Sequence, residues 1–416
     1  MAAEAAMEDR EPRRAAELAA QLSYGRLLAI LSARSRDIAA SEDALSGAFV
    51  KALETWPVRG VPDNPQAWLL TVARRGELDR MRANKRAAAA ASHIALLEEE
   101  RTMLAAQEMA DERLKLIFAC AHPAIDEGVR APLILQTVLG VDARRIAGAF
   151  LMPPNTMGVR LSRAKEKIAR AGIAFALPET EQLAVRAQSV LEAIYGAYTL
   201  GRDAADAGGP SQSGLALEAL WLASLCAQLL PDLAEAHGLF ALILAGEARR
   251  KARRDPSGGF VPIGEQDTAL WDGRMVADCK LALRRAASQN APGRFQIEAA
   301  IQCVHLDREK TGMTDWKAIA TLYEQLCRFT PAIGARLGLA AALSQAGRAQ
   351  EGAAILDALP AGRIETHQPY WAVLAEINAR LGRAKASQTA FERAIELSDD
   401  PAVRGFLAAR MARPPL

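Results

Sequence analysis

The chain has 416 residues, of which 50% are hydrophobic and 24% are charged, and its formal net charge at pH 7 is only +2. This length is enough for two or three domains, and the near balance of charge excludes a protein that is polycationic over its whole surface. Alanine and leucine are abundant whereas aromatic residues make up only 5% of the chain, a composition that favours helix over strand. We therefore expect an all-α fold.

The first clear element is a helix over residues 41–56. Its sequence, SEDALSGAFVKALETW, repeats Leu45, Phe49 and Leu53 at intervals of four residues, which is typical of a helix. The next nine residues, PVRGVPDNP, form a cluster of turn-forming residue types. We expect a second helix to start after this turn.

That second helix is strongly basic over residues 68–86. The segment WLLTVARRGELDRMRANKR has six basic and two acidic residues, a local net charge of +4. A tryptophan beside cationic side chains suits an unpaired nucleic-acid strand, because bases stack on aromatic rings. Taken alone, Trp68 is better interpreted as a buried core residue. An acidic segment, residues 92–112, follows with six acidic residues against one arginine.

Residues 141–168, VDARRIAGAFLMPPNTMGVRLSRAKEKI, predict two helices joined by a tight turn. Ile146 and Phe150 are spaced as on a helix, and Pro153-Pro154 stops that helix because proline lacks the N–H and clashes with the preceding turn. Asn155 or Thr156 can cap the second helix. The second helix is apolar on one face (Met157, Leu161, Ala164, Ile168) and basic on another (Arg160, Arg163, Lys167).

This pattern is the outline of a helix-turn-helix, whose second helix enters the major groove of DNA. Between Pro153 and Gly172 there are five basic residues and one acid, a net charge of +4, as phosphate contact requires. The alternative is an ordinary amphipathic helix with a solvated charged face.

The C-terminal half contains an internal repeat. Leu339-Ala340 recurs as Leu374-Ala375, and Gly347-Arg348-Ala349 recurs as Gly382-Arg383-Ala384, both at an offset of 35 residues. This is close to the 34-residue period of tetratricopeptide repeats, in which helix pairs stack on one another. Residues 221–250 predict an earlier helix pair that is split at Pro231-Asp232. Such stacks often bind peptides on a concave surface, and the alternative is that this half only packs on the N-terminal half and binds nothing.

The basic run from Arg249 to Arg254 precedes a Pro/Gly/Ser-rich loop. It is either a third nucleic-acid patch or, as we favour, a solvated helix end, where cations suit the helix dipole. The loop carries Phe260 and is followed by Trp271, and we expect it to dock against the repeats.

Other classes of function have little support in the sequence. The five cysteines are scattered and include no Cys-x-x-Cys pair, so we expect reduced, mostly buried thiols. Two Cys-x-His triplets, at Cys120 and Cys303, have no second ligand pair nearby in sequence, so we expect no metal site and no cofactor. There is no phosphate-binding glycine-rich loop, no nucleophile elbow, no signal peptide and no apolar run of about 20 residues. We therefore expect a cytoplasmic protein that is not an enzyme and does not contact a membrane.

Four stretches carry a resemblance to a known family. They are SEDALSGAFVKALETWP (41–57), VPDNPQAWLLTVARRGELDRMR (61–82), DERLKLIFACAHPAI (111–125) and IAGAFLMPPNTMGVRLSRAKEKI (146–168). They resemble bacterial RNA polymerase sigma factors of the extracytoplasmic-function group of the sigma-70 superfamily. The last two are especially similar to a subgroup with a C-terminal extension that resembles tetratricopeptide repeats. Parts of that extension resemble residues 255–272, 293–305 and 314–326 of this chain.

The resemblance implies four regions. Residues 15–86 are expected to form a sigma region 2-like domain that binds core polymerase and the −10 promoter element, followed by a linker at 87–110. Residues 111–175 are expected to form a sigma region 4-like helix-turn-helix domain that reads the −35 element. Residues 180–413 are expected to form a helical, tetratricopeptide-like domain, which regulates the protein. The implied partners are core RNA polymerase, promoter DNA and a regulatory protein bound by the C-terminal domain.

The resemblance also implies three sets of site residues. The set for core polymerase is Asp43, Phe49 and Leu53. The set for the −10 element is Trp68, Thr71, Arg74, Arg75, Asp79 and Arg82, with Arg74 and Arg75 near phosphates. The set for the −35 element is Asn155, Thr156, Arg160, Arg163 and Lys167.

The chain departs from the family pattern at three places, one of which is residues 194–198 (Ile-Tyr-Gly-Ala-Tyr), where the family has a stretch like Phe-Asn-Glu-Gly-Tyr. Ser46 and Gly47 replace a Gln-Glu pair in the polymerase-binding helix, and residues 75–77 (Arg-Gly-Glu) replace Asn-Arg-Ala in the −10 segment. Two further hypotheses therefore remain open. The first is a degenerate sigma-like protein whose helical repeats bind a protein partner. The second is a DNA-binding regulator that uses only its helix-turn-helix.

Overall fold

The computed structural model describes residues 10–84, 106–150, 152–206 and 213–412. These residues form two compact units. The first contains the described residues up to 205 together with 213–219, and the second contains residue 206 and residues 220–412. Regular secondary structure in the described residues is helical, apart from one isolated bridge between Arg254 and Phe260. The predicted all-α fold is confirmed for this part of the chain.

The first unit is built from eight helices and the beginning of a ninth. They are α1 (Arg10–Ser35), α2 (Ile38–Arg59), α3 (Pro65–Asn84), α4 (Ala106–Cys120), α5 (Glu127–Thr137), α6 (Ala143–Ala149), α7 (Pro154–Arg170), α8 (Thr180–Asp206) and α9 (Ser213–Leu229).

Helix α2 contains the predicted helix over residues 41–56. The Asp37 carboxylate accepts a hydrogen bond from the Ala40 N–H and so caps the first turn. The helix ends before Gly60, whose φ of 82° favours glycine. Its buried side chains recur every three or four residues and end at Trp56, which packs edge-to-face on Trp68 of α3 with ring centroids 5.5 Å apart. α2 and α3 are therefore held together by an aromatic contact at this end.

Helices α6 and α7 are joined by a short turn, as predicted, but two local details differ. α6 ends at Ala149, so Phe150 lies just beyond the helix and is exposed. α7 begins at Pro154, so neither Asn155 nor Thr156 is its N-cap residue. The N-cap residue is Pro153, whose side chain forms no capping hydrogen bond. Proline is suited to the first helical position because its missing N–H would have no partner there.

Backbone segments approach closely where α1 meets the end of α5. A Cβ at Gly25 would lie 1.7 Å from the Val138 carbonyl oxygen, so only glycine allows this contact. Gly140, whose φ is 64°, lies against the Tyr24 ring. The first unit therefore packs α1 tightly against the segment between α5 and α6.

The described part of the second unit contains the end of α9, eleven further α-helices and two short 3-10 helices, Arg250–Ala252 and Thr268–Leu270. The α-helices are α10 (Ala234–Ala248), α11 (Gly273–Ser288), α12 (Arg294–Leu306), α13 (Arg308–Thr311), α14 (Trp316–Phe329), α15 (Ile333–Gln345), α16 (Ala349–Asp357), α17 (Ala361–Ile364), α18 (Gln368–Arg380), α19 (Ala384–Glu396) and α20 (Pro401–Met411). The helix pair predicted around Pro231-Asp232 is confirmed as α9 and α10. α10 is buried on nearly all sides and packs against α11 and α12.

The internal repeat is confirmed by two equivalent helix pairs. α18 begins 35 residues after α15 (Gln368 after Ile333), and α19 begins 35 residues after α16 (Ala384 after Ala349). Gly347 and Gly382, at the turn of each pair, have φ values of 85° and 69°, which favour glycine. The repeated Gly-Arg-Ala sequence therefore marks a repeated turn.

The loop over residues 253–267 docks against the repeats, as predicted. Arg254 lies 2.5 Å from the Asp400 carboxylate at the start of α20, and Phe260 packs edge-to-face on Phe406. The Arg308 guanidinium donates to three loop carbonyls and lies over the Trp271 ring. Glu265 of the loop also lies 3.7 Å from Arg410 of α20, so the loop is held by two ion pairs, by the ring contact of Phe260 and by several hydrogen bonds.

The interpretation of the basic run before this loop as a solvated helix end holds for Arg250 and Lys251, which are exposed, and was wrong for the other three cations. Arg249 is buried and donates to the Ala245 carbonyl and to Gln302. Arg253 donates to the Gly246 carbonyl, and Arg254 is paired as described above. These cations satisfy carbonyl and carboxylate oxygens inside the second unit, which also disfavours a nucleic-acid patch.

No helix within the described ranges combines the length and apolarity that are needed to span a membrane.

Candidate functional site

The predicted polymerase-binding residues lie on the outer side of α2. Asp43 and Leu53 are exposed, and Phe49 is half-buried. Residues four apart on a helix are offset by about 40° beyond a full turn. The series Leu45, Phe49 and Leu53 therefore starts in the core at Leu45 and reaches the surface at Leu53. Val50, one turn before Leu53, is exposed as well. Phe49, Val50 and Leu53 thus form an apolar patch, hereafter the α2 patch.

A groove lies beside the α2 patch, between α2 and α3. Gly47 and Gly76 both line it, and a Cβ at either position would meet no atom within 4 Å. Its volume is about 310 Å³. The full lining is Asp43, Ala44, Gly47, Ala48, Lys51, Val72 and Gly76. The glycines that depart from the family pattern therefore open space on the surface and do not relieve a clash.

The predicted −10 residues on α3 differ in exposure. Trp68 is half-buried against Trp56, which agrees in part with the core interpretation. The Thr71 hydroxyl donates to the Ala67 carbonyl. Arg75 is exposed, but Arg74 is only 6% exposed and is directed into the unit. Asp79 and Arg82 lie on α3, but their side chains lie outside the described part of the chain.

Glu77, the third of the altered residues in this segment, has a structural contact. Its carboxylate accepts a hydrogen bond of 3.0 Å from the Ser41 hydroxyl of α2. Ser41 also lies 2.8 Å, hydroxyl to hydroxyl, from Ser35 at the end of α1. This chain of hydrogen bonds joins three helices, and nothing in the local sequence indicates it, because Ser41 and Glu77 are 36 residues apart.

The predicted −35 residues lie on α7. Asn155, Thr156, Arg163 and Lys167 are all exposed. Arg160 is engaged within the unit: it lies 3.2 Å from the Asp126 carboxylate, and it donates to the Met152 sulfur at 3.4 Å. Four of the five side chains are thus directed to solvent, and one is positioned by an acidic neighbour.

A buried ion pair joins α7 to α2, and the sequence interpretation missed it. The Lys165 ammonium lies 2.5 and 2.6 Å from the two carboxylate oxygens of Glu42. The side chains of Lys165 and Glu42 are only 9% and 19% exposed. Burial, and secondarily the Glu42 charge, raises the pKa of Tyr24 well above its usual value. Lys165 follows Leu161 by four residues, so its place on the apolar face of α7 was the available signal.

The cysteines and histidines do not form a metal site in the described residues, where no cluster of three or more His, Cys, Asp or Glu side chains has a suitable arrangement. The Cys120 thiol contacts the Thr137 hydroxyl at 3.4 Å, and burial raises the pKa of Cys120 to about 12. Cys303 faces Cys279 instead of a histidine. The expected burial of the thiols is confirmed for four of the five, since Cys327 is partly exposed.

Comparison with known proteins agrees with the N-terminal part of this description. Residues 21–87, which include the end of α1 and all of α2 and α3, match sigma-70 region 2. The described part of the chain is helical, and its N-terminal part matches a sigma-70 region 2 domain, which implies binding to core RNA polymerase. Residues 186–287 match a family of unknown function, DUF6596.

One relative extends over nearly the whole chain. The uncharacterized protein R00370 of Rhizobium meliloti (strain 1021) is 32% identical over 383 residues, which are 90% of each protein. The chain belongs to the same family as this protein. No solved structure matches the chain.

Proposed function

We propose that this protein is a sigma factor of the extracytoplasmic-function type, which binds core RNA polymerase, recognises two promoter elements and is regulated through its C-terminal helical repeats. The observation that carries the proposal is the sigma-70 region 2 match over helices whose outer side bears the α2 patch. The regions are those implied by the sequence: 15–86, a linker at 87–110, 111–175 and 180–413. Residues 87–105 of this linker lie outside the described part of the chain.

Core polymerase binding is assigned to the α2 patch and to Asp43. Exposed apolar side chains that cluster on one helix commonly mark an interaction surface. Leu53 is 49% exposed, and burying its remaining surface in an interface would contribute about 1 kcal/mol. Asp43 lines the adjacent groove and offers a carboxylate to a basic partner. The absence of side chains at Gly47 and Gly76 leaves this surface indented.

Contact with the −10 element is assigned to α3. Arg75 is exposed and is available for a phosphate, whereas Arg74 can reach DNA only if its packing changes. The exposed part of the Trp68 ring suits stacking on an unpaired base. The role of Asp79 and Arg82 rests on the resemblance alone.

Recognition of the −35 element is assigned to α7. Thr156, Arg163 and Lys167 follow one another at intervals of seven and four residues, so they share a face of the helix, and Asn155 lies beside them. Arginine bonds to guanine in the major groove with two hydrogen bonds, which are worth about 1–3 kcal/mol of discrimination. Arg160 contributes after release from Asp126, or fixes the orientation of α7 by remaining paired with it.

Regulation is assigned to the second unit, which contains the α15–α16 and α18–α19 helix pairs. Stacked helix pairs present long surfaces that are suited to binding another protein. A regulatory protein is therefore the partner that we assign to the C-terminal domain.

The experiment that tests the proposal is co-elution of the full chain with bacterial core RNA polymerase on a sizing column. We expect a stable complex, and we expect Leu53→Asp to weaken it at least tenfold, because an aspartate in the α2 patch would be buried without a partner. The matched control is Leu281→Asp on α11, which alters a leucine of similar exposure in the second unit.

Failure of the folded chain to bind a core that binds a control sigma factor would refute the proposal. Equal loss of binding in the two variants would refute the assignment to α2. Tight, salt-dependent binding to promoter duplex without polymerase would favour the stand-alone DNA-binding regulator.

A further inference from the structure

Two thiols face each other inside the second unit. Cys279 of α11 and Cys303 of α12 have their sulfur atoms 3.4 Å apart, and both are free thiols. A disulfide bond requires a sulfur–sulfur distance of about 2.05 Å, so the pair must close by about 1.4 Å. Both residues lie in the interior of their helices, which places the two side chains in a defined orientation.

We propose that Cys279 and Cys303 form a redox-active dithiol, which hydrogen peroxide oxidises to an intramolecular disulfide. This goes beyond the proposed function, because a sigma factor needs no thiol chemistry to bind polymerase or DNA.

The two thiols have different roles because their environments differ. Cys303 is 9% exposed whereas Cys279 is fully buried, so a small oxidant can reach only Cys303. A hydrogen bond from the Cys279 thiol lowers the pKa of Cys303, against the effect of burial, and the Lys280 charge acts in the same direction. The thiolate is the nucleophilic form of cysteine. Cys303 is therefore the thiol that is oxidised first, and Cys279 is the resolving thiol.

The chemistry balances in two steps. The Cys303 thiolate attacks one oxygen of hydrogen peroxide, so that an S–O bond forms, the O–O bond breaks and hydroxide leaves as water after taking a proton. Cys279 then attacks the sulfur of the Cys303 sulfenic acid. The S–S bond forms, the S–O bond breaks, and the departing hydroxide takes the Cys279 proton to give a second water. Two thiols are oxidised and one peroxide is reduced.

The remaining cysteines provide internal controls. Burial raises the pKa of Cys226 to about 12, and the exposed fraction of its side chain is zero. Cys327 is more exposed than Cys303, but burial raises its pKa and it has no thiol beside it among the contacts described. Exposure alone predicts that Cys327 reacts first, whereas the dithiol proposal predicts that Cys303 does.

The test is peptide mapping of the full, reduced chain after treatment with a stoichiometric amount of hydrogen peroxide and alkylation of the remaining thiols. We expect a peptide pair linked through Cys279 and Cys303, formed at least tenfold faster in the folded chain than in urea. In Cys279→Ser we expect the reaction to stop at a sulfenic acid on Cys303, detected by dimedone. Cys226→Ser, the control, should form the link at the rate of the unaltered chain.

Two results would overturn the proposal. One is the absence of the linked peptides in the folded, unaltered chain, which does not depend on any variant folding correctly. The other is dimedone labelling of Cys327 in preference to Cys303 in Cys279→Ser. A linked pair that forms only after unfolding in urea is an instance of the first result, since the folded chain then lacks the link.

Discussion

The ion pair between Glu42 and Lys165 offers the sharpest test of how the first unit is assembled. Exposed ion pairs contribute about 0.2–1 kcal/mol, whereas removing one partner of a fully buried pair costs about 3–5 kcal/mol. The two side chains of this pair are 9% and 19% exposed, so we expect its energy to lie between that of an exposed pair and that of a fully buried one. We expect a coupling free energy of about 2 kcal/mol, or a factor of about 30 in an equilibrium constant.

The assay is a double-mutant cycle on the free energy of unfolding in urea. Glu42→Gln, Lys165→Met and the double variant isolate the pairwise energy, because each single change removes the pair without adding a charge. The control cycle is Glu166→Gln with Arg170→Met, an exposed pair at 2.8 Å on the same helix. We expect the control coupling to stay below about 0.5 kcal/mol. Equal couplings in the two cycles would refute the packing of α2 on α7.

The same contact bears on the proposed function. The −35 and −10 elements are centred about 25 base pairs apart, which is about 85 Å of duplex at 3.4 Å per base pair. α3, which is assigned to the −10 element, packs on α2. If Glu42 of α2 remains paired with Lys165 of α7, α3 and α7 therefore cannot serve elements at that distance. Loss of the pair should therefore raise run-off transcription at limiting protein, and an unchanged or lower yield would contradict this reasoning.

Three further outcomes are expected. Gly25→Ala should lower the free energy of unfolding by about 3 kcal/mol, because its Cβ would collide with a backbone oxygen, whereas Gly47→Ala should raise it by about 0.5–1 kcal/mol; urea titrations giving the two changes the same sign would contradict this. Burial, and then two nearby arginines, lowers the pKa of His305 to about 4, so the folded state disfavours its protonation. The free energy of unfolding is therefore retained above about pH 6.5, the pKa of histidine in the unfolded chain, and falls by about 2 kcal/mol between pH 7 and pH 5. In His305→Phe the free energy of unfolding should fall less over this pH range. An identical fall in the variant would rule out His305 as the cause. Arg163→Ala should reduce promoter-specific run-off transcription by about 5–150-fold with an unchanged melting temperature, since Arg163 is exposed, and full activity would remove it from the DNA-reading face.

The parts of the fold that could be predicted are those written in local sequence. The spacing of Leu45 and Phe49 indicated α2, and the repeated Gly-Arg-Ala at Gly347 and Gly382 indicated two equivalent helix pairs. Both signals operate over a few residues, because helices and turns are stabilised by neighbours in sequence.

The parts that could not be predicted depend on residues that are distant in sequence. Lys165 and Glu42 are 123 residues apart, and Arg254 and Asp400 are 146 apart. In the sequence alone, each of these four charged residues is indistinguishable from a charged residue on the surface. The direction of Arg74 into the unit had the same cause, since exposure on a helix is decided by what packs against it.

The candidate site was predicted unevenly for a related reason. The motif placed Arg163 and Lys167 on an exposed helix face, and they are exposed. The motif could not show that Arg160 would be paired with Asp126, nor that a proline would replace Asn155 or Thr156 at the start of α7. Local helix rules allow several starting residues, and the choice between them depends on the turn that precedes the helix.

The docked loop changes the kind of folding transition that the second unit can undergo. A stack of helix pairs whose contacts are only between neighbours unfolds gradually from its ends. Here Arg254 and Phe260 hold α20 from a point about 146 residues earlier in the chain. The last helix cannot fray without releasing that loop, so the unit should unfold cooperatively. It should also fold more slowly than an open array, because its final contacts close a long loop of chain.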